Sequence, residues 1–327
     1  GKISLRGVLL LILLIFIILL YFEDVFPIAR FPNVLTQNID VKKLENYKKI
    51  ELIYDIKTEY NKNSLITLKD LTENIENKFI ILKNNPLFFQ GKYKNTYIYV
   101  IDSLPCISVF SVNELNGGFL NLLRKIKYYI VYPFNKDYAF YEKFEMLKKD
   151  TFFTEFNPVV DKCFIGSSDA HIKIKKVSDR VFNYPDLKGQ VSLIKNYVYV
   201  PEDFFNGTFN QKRSSIIENL GRSYTAFYYD YDFDFYVKTK DKKTLFIGDR
   251  VYLKDNPLIY VRKPEGKFII AVYKNGEVEK YYNSSFILKP ENIGYYFFIV
   301  YKYDTKISDS IYTSVEPVII TNPIFIQ

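Results

Sequence analysis

The sequence predicts a chain in three parts: an N-terminal transmembrane helix, an α/β body and an all-β C-terminal region. Three observations predict it. An unbroken apolar run stands near the start, strand-like and helix-like patterns then alternate, and short aromatic-rich strands with turn signals fill the last third. The expected boundaries are 1–24 for the anchor, 25–44 for a juxtamembrane linker, 45–225 for an α/β domain and 226–327 for an antiparallel β-sandwich.

At 327 residues the chain has room for about two domains. Its 30 Tyr and 29 Phe, with no Trp, favour pleated surfaces on which aromatic rings pack well. The net charge of +8 comes from lysines interleaved with Asp and Glu, which reads as a solvated surface and not as a nucleic-acid interface. Cys106 and Cys163 lack zinc-type spacing. Two unpaired buried thiols are expected, with pairing possible only if the fold brings them together.

The anchor comes first. Residues 7–22 (GVLLLILLIFIILLYF) have no polar face. As a helix this run covers roughly 24 Å, slightly short of a hydrocarbon core of about 30 Å. Snorkelling by Arg6 and interfacial placement of Tyr21 and Phe22 make up the difference. Lys2 and Arg6 precede the run, and Glu23 and Asp24 follow it. The expected topology is therefore a cytoplasmic N-terminus and an extracytoplasmic body. The bulky segment that follows has no small-x-small cleavage site, which favours an uncleaved anchor over a signal peptide.

Residues 24–37 contain Pro27 and Pro32 and read as linker. Residues 49–54 (KIELIY) read as a strand and 67–77 as a helix, with Leu68, Leu71 and Ile75 on one face. Strands follow at 79–82 (FIIL) and 97–101 (YIYVI), and a helix at 119–128. A strand at 130–132 ends at Pro133, a helix covers 138–149, and a strand at 162–165 runs into Gly166. Such alternation argues for parallel βα units. Ser214 or Ser215 can cap a short helix that ends near Gly221. Beyond it nearly every segment reads as strand, and Asn275-Gly276 marks a tight hairpin. The stretch 228–236 alternates aromatic and acidic residues. It reads as a strand with one packed and one wet face, with an aromatic binding strip as the alternative.

One segment carries candidate chemistry: Gly166-Ser167-Ser168-Asp169-Ala170-His171, directly after a strand. A carboxylate and an imidazole two residues apart at a strand's C-terminal end can reach one metal ion, and His171 is the only histidine. The segment resembles the GSDAH signature near the end of PHP domains, the polymerase and histidinol phosphatase superfamily of metal-dependent phosphoesterases. Other stretches resemble the same family in the same order. Asp55-Ile56-Lys57-Thr58 stands at the opening His-x-His-Thr, residues 79–86 resemble the strand-plus-TDH segment, and Asp102 falls where a ligand Glu often sits. Residues 131–135 resemble the AHPF strand end. Gly221-Arg222-Ser223-Tyr224 and the closing 322–326 resemble a subgroup with a C-terminal β-sandwich.

The resemblance implies a distorted (β/α) barrel with two or three divalent ions at its mouth, which activate water and clamp a phosphoester. Most of the expected ligands are replaced. The opening histidines read as Asp55 and Lys57, the TDH segment as Lys83-Asn84-Asn85, and the AHP histidine as Tyr132. An ammonium where a cation should sit opposes metal binding by roughly 4 kcal/mol at about 4 Å. The expectation is a membrane-held, non-catalytic binding or scaffolding element; the alternative is a phosphoesterase with a reduced site. Asp55, Asp102, Asp169 and His171 are the candidate ligands for a single Zn²⁺ or Mn²⁺. Alternatively, Lys57, Lys83 and His171 bind an anion with no metal. Expected partners are the membrane and, through the β-sandwich, other proteins. Asn206-Gly207-Thr208 and Asn283-Ser284-Ser285 fit the glycosylation pattern.

Overall fold

The computed structural model of the chain describes residues 4–56, 75, 78–83, 90–111, 117–147, 149, 152–168, 170, 173–177, 180–184, 187–241, 243–245, 249 and 251–327. Of the helix expected at 67–77, only Ile75 falls among them. Helix α1 (Leu5–Val25) is followed by strand β1 (Ile28–Arg30). The body begins with β2 (Tyr47–Tyr54), β3 (Phe79–Lys83), β4 (Gly91–Tyr93), β5 (Thr96–Ile101) and β6 (Ile107–Ser111). Helices α2 (Phe119–Val131), α3 (Lys136–Glu145) and α4 (Phe152–Glu155) lead to β7 (Phe164–Ser167). The hairpin β8 (Lys173–Val177) and β9 (Arg180–Tyr184), helix α5 (Leu187–Ser192), β10 (Ile194–Pro201) and α6 (Phe209–Asn219) come before β11 (Ser223–Phe227). Strands then dominate: β12 (Asp234–Lys238), β13 (Thr244–Leu245), β14 (Leu258–Arg262), β15 (Phe268–Lys274), β16 (Glu277–Tyr282) and β17 (Phe286–Leu288). The last are β18 (Gly294–Lys302), β19 (Thr305–Lys306), β20 (Ile311–Thr313), β21 (Glu316–Thr321) and β22 (Ile324–Ile326).

Helix α1 is longer than the apolar run that predicted it. Its 21 residues make about 31 Å, the thickness of a bilayer core. The Ser4 hydroxyl caps its first turn by accepting from the Gly7 amide at 3.1 Å. The apolar stretch is not buried against the body, so by length and composition α1 can cross a membrane.

The body is mixed α/β around one large sheet with strand order β16-β15-β18-β21-β11-β10-β2-β3-β5-β4, and β22 also pairs with β18. Strands β2, β3 and β5 run parallel, as the alternating pattern predicts. On the other side of β2, however, β10 is antiparallel, with Asn196 opposite Leu52. A closed (β/α) barrel is not shown among the described residues. Strand β11 pairs with β10 on one edge and β21 on the other, so the sheet continues without a break across residue 225. The four-stranded sheet β13-β12-β14-β17 shares its core with this sheet. Phe235 and Phe286 both reach Phe298, with ring centroids 6.3 and 6.0 Å apart. The predicted hairpin holds: Asn275 and Gly276 both take positive φ between β15 and β16.

Several local expectations are corrected. Residues 130–132 are not a strand but the end of α2 and the turn after it. Leu123, Arg124, Lys127 and Tyr128 are all buried along the inner side of this helix, and that tertiary fixation overrides the β-propensity of Ile130 and Val131. Helix α6 starts at Thr208, not at Ser214 or Ser215. Thr208 and Gln211 form a reciprocal capping box, a signal already present in the sequence. Cys106 and Cys163 form a disulfide, against the expectation of free thiols. The reason is register: Ile107 of β6 lies opposite Phe164 of β7 in a parallel pair, so the residues before them meet, with Cα atoms 4.7 Å apart. The segment read as linker lies along the body: β1 pairs with β20, Phe31 is buried, and Val41 belongs to the main core. In the stretch 228–236 the expected wet face is absent over 233–236: Asp234 is buried with Phe233, Phe235 and Tyr236 and pairs with Lys49 at 3.3 Å, while exposed Asp232 ion-pairs with Arg262 at 2.7 Å.

Candidate functional site

The strand ends carry the residues singled out by sequence. Asp55 follows β2, Lys83 closes β3 and Asp102 follows β5, so three neighbouring parallel strands present them on one edge. Lys57, Asp169 and His171 lie outside the described residues, but the segments flanking the last two are placed. The Ser168 amide and hydroxyl both donate to the Tyr54 carbonyl, at 3.0 and 2.8 Å. Ile56 then bridges Ala170 in parallel. The fold thus lays Ser167, Ser168 and Ala170 beside residues 54–56, a juxtaposition that sequence order alone does not dictate.

Asp55 is half-buried and takes a left-handed φ of 61°, and its carboxylate accepts from the Ser167 hydroxyl at 3.0 Å. Burial, then the Asp55 charge, pushes the Tyr54 phenol up to about 12. Lys83 and Asp102 are exposed. Asp55 and Asp102 are separated by β3, roughly 10 Å across two strand spacings. Among the described residues neither belongs to a cluster of three potential metal ligands.

Strand β7 is held here in an unusual way. One edge pairs with β6, and the other is satisfied by two side-chain amides standing in for a strand. Asn196 accepts from the Gly166 amide and donates to the Gly166 carbonyl, each at 2.8 Å. Asn322 does the same for Phe164, at 2.7 and 3.0 Å. Gly166 is required for this approach, because a Cβ there would lie 2.6 Å from Thr225 and 2.7 Å from Ile194. Asn196→Leu is expected to lower stability by about 3 kcal/mol, since it orphans two buried backbone groups. Chemical unfolding of both proteins checks this, and a loss within the scatter of surface substitutions would contradict it.

A second site, not foreseen from the sequence, lies where α1 meets the body. Glu23 in the last turn of α1 is only 1% exposed. It bonds to the Arg124 guanidinium and to the Lys127 ammonium, the latter at 3.0 Å. Lys127 also reaches Asp24 at 2.7 Å and Glu142 at 3.0 Å. Glu23, Asp24 and Glu142 converge closely enough to hold a metal ion, but the Lys127 ammonium supplies the cation there. Burial pushes this amine down, yet the bonds from Asp24 and Glu142 outweigh it and hold it above its ordinary value. Arg124 also donates to the Phe26 carbonyl at 3.2 Å. A cavity of about 550 Å³ opens beside the cluster, lined in part by Phe26, Leu120, Arg124, Glu145 and Tyr301. The sequence did carry a faint signal: Glu23 and Asp24 directly after the apolar run, and a basic RKIK on a helix whose flanks are apolar.

Glu145 and Glu316 extend the cluster, with Lys149 bound to Glu316. Burial and then the Glu316 charge raise Glu145 well above its ordinary 4.5. Lys149, against the effect of burial, holds Glu316 low. Glu145 is therefore the protonated partner. Its contribution to stability is complete below about 4.5 and is lost as pH rises through its elevated folded value. Glu145→Gln keeps the neutral form at every pH. It is expected to flatten the decline of stability on the alkaline side, measured as midpoint of thermal unfolding against pH. A decline as steep as in the parent chain would contradict the assignment.

No protein-family model, curated protein or solved structure matches the chain.

Proposed function

We propose that this protein is a membrane-anchored, extracytoplasmic element with a PHP-like body and a C-terminal β-sandwich, and that it works by binding or scaffolding and not by catalysis. The observation that carries this is the buried junction between Glu23 of α1 and Arg124 and Lys127 of α2. A membrane helix that shares buried charges with its soluble body holds that body in a fixed attitude to the bilayer, which suits a scaffold. The disulfide supports an oxidising, extracytoplasmic location, with the N-terminus in the cytoplasm. Parallel β2, β3 and β5, and the pairing of Ile56 with Ala170, support the PHP-like ancestry. Loss of catalysis is supported by exposed Lys83 at a strand end. Tyr132, expected at the AHP position, lies in the turn after α2 and not at a strand end. Protein partners at the C-terminal strands, and no nucleic acid, complete the proposal.

The competing reading, a phosphoesterase with one Zn²⁺ or Mn²⁺, is favoured by the placement of Asp55 beside the Gly166–Ala170 segment. Metal analysis of the purified chain and turnover of generic phosphoesters with added Mn²⁺ or Zn²⁺ separate the two. The expected result is no turnover, and no change on His171→Ala. Hydrolysis abolished by His171→Ala would overturn the proposal.

A further inference from the structure

Helix α2 buries two cations beside Leu123 and Tyr128 and leaves an apolar stripe exposed. Arg124 and Lys127 point inward and are buried, while Phe119, Leu122, Tyr129 and Ile130 are 60%, 54%, 56% and 55% exposed. At 3.6 residues per turn these four, with half-buried Ile126, fall within an arc of about 100° along a helix of roughly 20 Å. Phe134, just past the end of α2, is 89% exposed. Lys125, on the flank of the stripe, and Lys136, beyond it, are exposed cations. The inward cations bind Glu23, Asp24 and the Phe26 carbonyl, all at the C-terminal end of α1. The apolar stripe is therefore tied to the level at which α1 leaves the bilayer.

We infer that α2 lies in the membrane interface, with Phe119, Leu122, Ile130 and Phe134 set into the lipid surface beside the emerging anchor. This rests on the reading of α1 as a membrane span. The chemistry fits the occupant: apolar side chains for the acyl boundary, a Tyr at headgroup level, and flanking lysines for anionic headgroups. Continuity with α1 selects the bilayer over a second copy of the chain, because the same buried cluster fixes both helices. The body would then meet the membrane through a crossing helix and a surface helix, which fixes its tilt as well as its distance.

The chain has no Trp, so a single introduced Trp reports its own position without background. The full chain is placed in nanodiscs of brominated phosphatidylcholine with some phosphatidylserine. Four exposed positions are tested: Leu122→Trp on the stripe, Phe134→Trp just past it, Leu13→Trp in α1, and Ile293→Trp just before β18. Bromine is expected to lower emission about two-fold or more for the first three, consistent with burial about 5–10 Å into the interface for the stripe. The Ile293→Trp protein is expected to be unaffected by bromine and quenched by aqueous iodide. Quenching by bromine at Leu13→Trp but not at Leu122→Trp and Phe134→Trp would overturn the inference and leave the anchor standing. Absence of bromine quenching at Leu13→Trp would overturn the anchor itself. A stripe shielded from both bromine and iodide would mean that protein covers it, and would equally overturn the inference.

Discussion

Lys127→Met is expected to lower stability by about 3–5 kcal/mol, because removing one partner of a buried ionic group leaves the others uncompensated. Three carboxylates, from Glu23, Asp24 and Glu142, would remain within reach of one another, with only Arg124, bonded to Glu23, left as a cation beside them. An exposed pair such as Lys306 and Asp309 sets the contrast, since such pairs contribute about 1 kcal/mol or less. Burial makes the difference: Glu23 and Glu142 are 1% and 2% exposed. Urea unfolding of the detergent-solubilised chain, followed by tyrosine emission, measures the loss. Mn²⁺ is expected to recover part of it in the variant and to do nothing in the parent chain, because the vacated position is ringed by carboxylates. An unfolding midpoint that Lys127→Met leaves in place would show that the junction does not hold α1 to the body.

Cys163→Ser is expected to cost about 4 kcal/mol. The Cys106–Cys163 bond closes a loop with a sequence separation of 57, and the loss of that constraint on the unfolded chain sets the size of the effect. The effect also has a local address. The Ile107 amide donates to the Cys163 carbonyl at 3.0 Å beside the bond, and β7 carries the Gly166–Ser168 segment onward to Asp55. Protection of the Gly166 and Ser168 amides from hydrogen exchange should therefore fall more than that of β15 or β18 in the distant part of the sheet. Dithiothreitol on the parent chain should reproduce both changes. Equal melting temperatures under reducing and non-reducing conditions would refute this account.

The two sites differ in how far sequence could reveal them. Gly166, Ser167 and Ser168 were found because a strand followed by a distinctive motif is a local pattern. Asp55 was singled out because the stretch after the first strand of the body resembles the opening motif of PHP domains. Their contact was not legible. The Ser167–Asp55 bond joins residues 112 apart, and neither period nor propensity encodes such a distance. The anchor junction was missed for a sharper reason. Helical periodicity assigns apolar side chains to the inside and charged ones to the outside. In α2 that assignment fails, because Arg124 and Lys127 find carboxylates from α1 to neutralise them. The same logic explains residues 130–132, where local β-propensity lost to a helix already fixed by those contacts.

The amino-acid sequence by itself determined the apolar helix, the strands β2, β3 and β5, the aromatic strands from β15 to β18 and the turn at Asn275-Gly276. Each is set by spacing, side-chain branching or a glycine within a few residues. Only the tertiary structure decided that β11 joins both halves into one sheet, and that Cys106 meets Cys163. It alone decided that Asn196 and Asn322 complete the edge of β7, and that Lys127 fills a nest of carboxylates at the foot of α1. Those outcomes depend on which distant partner satisfies a buried hydrogen bond or charge, and that choice exists only once the chain has folded.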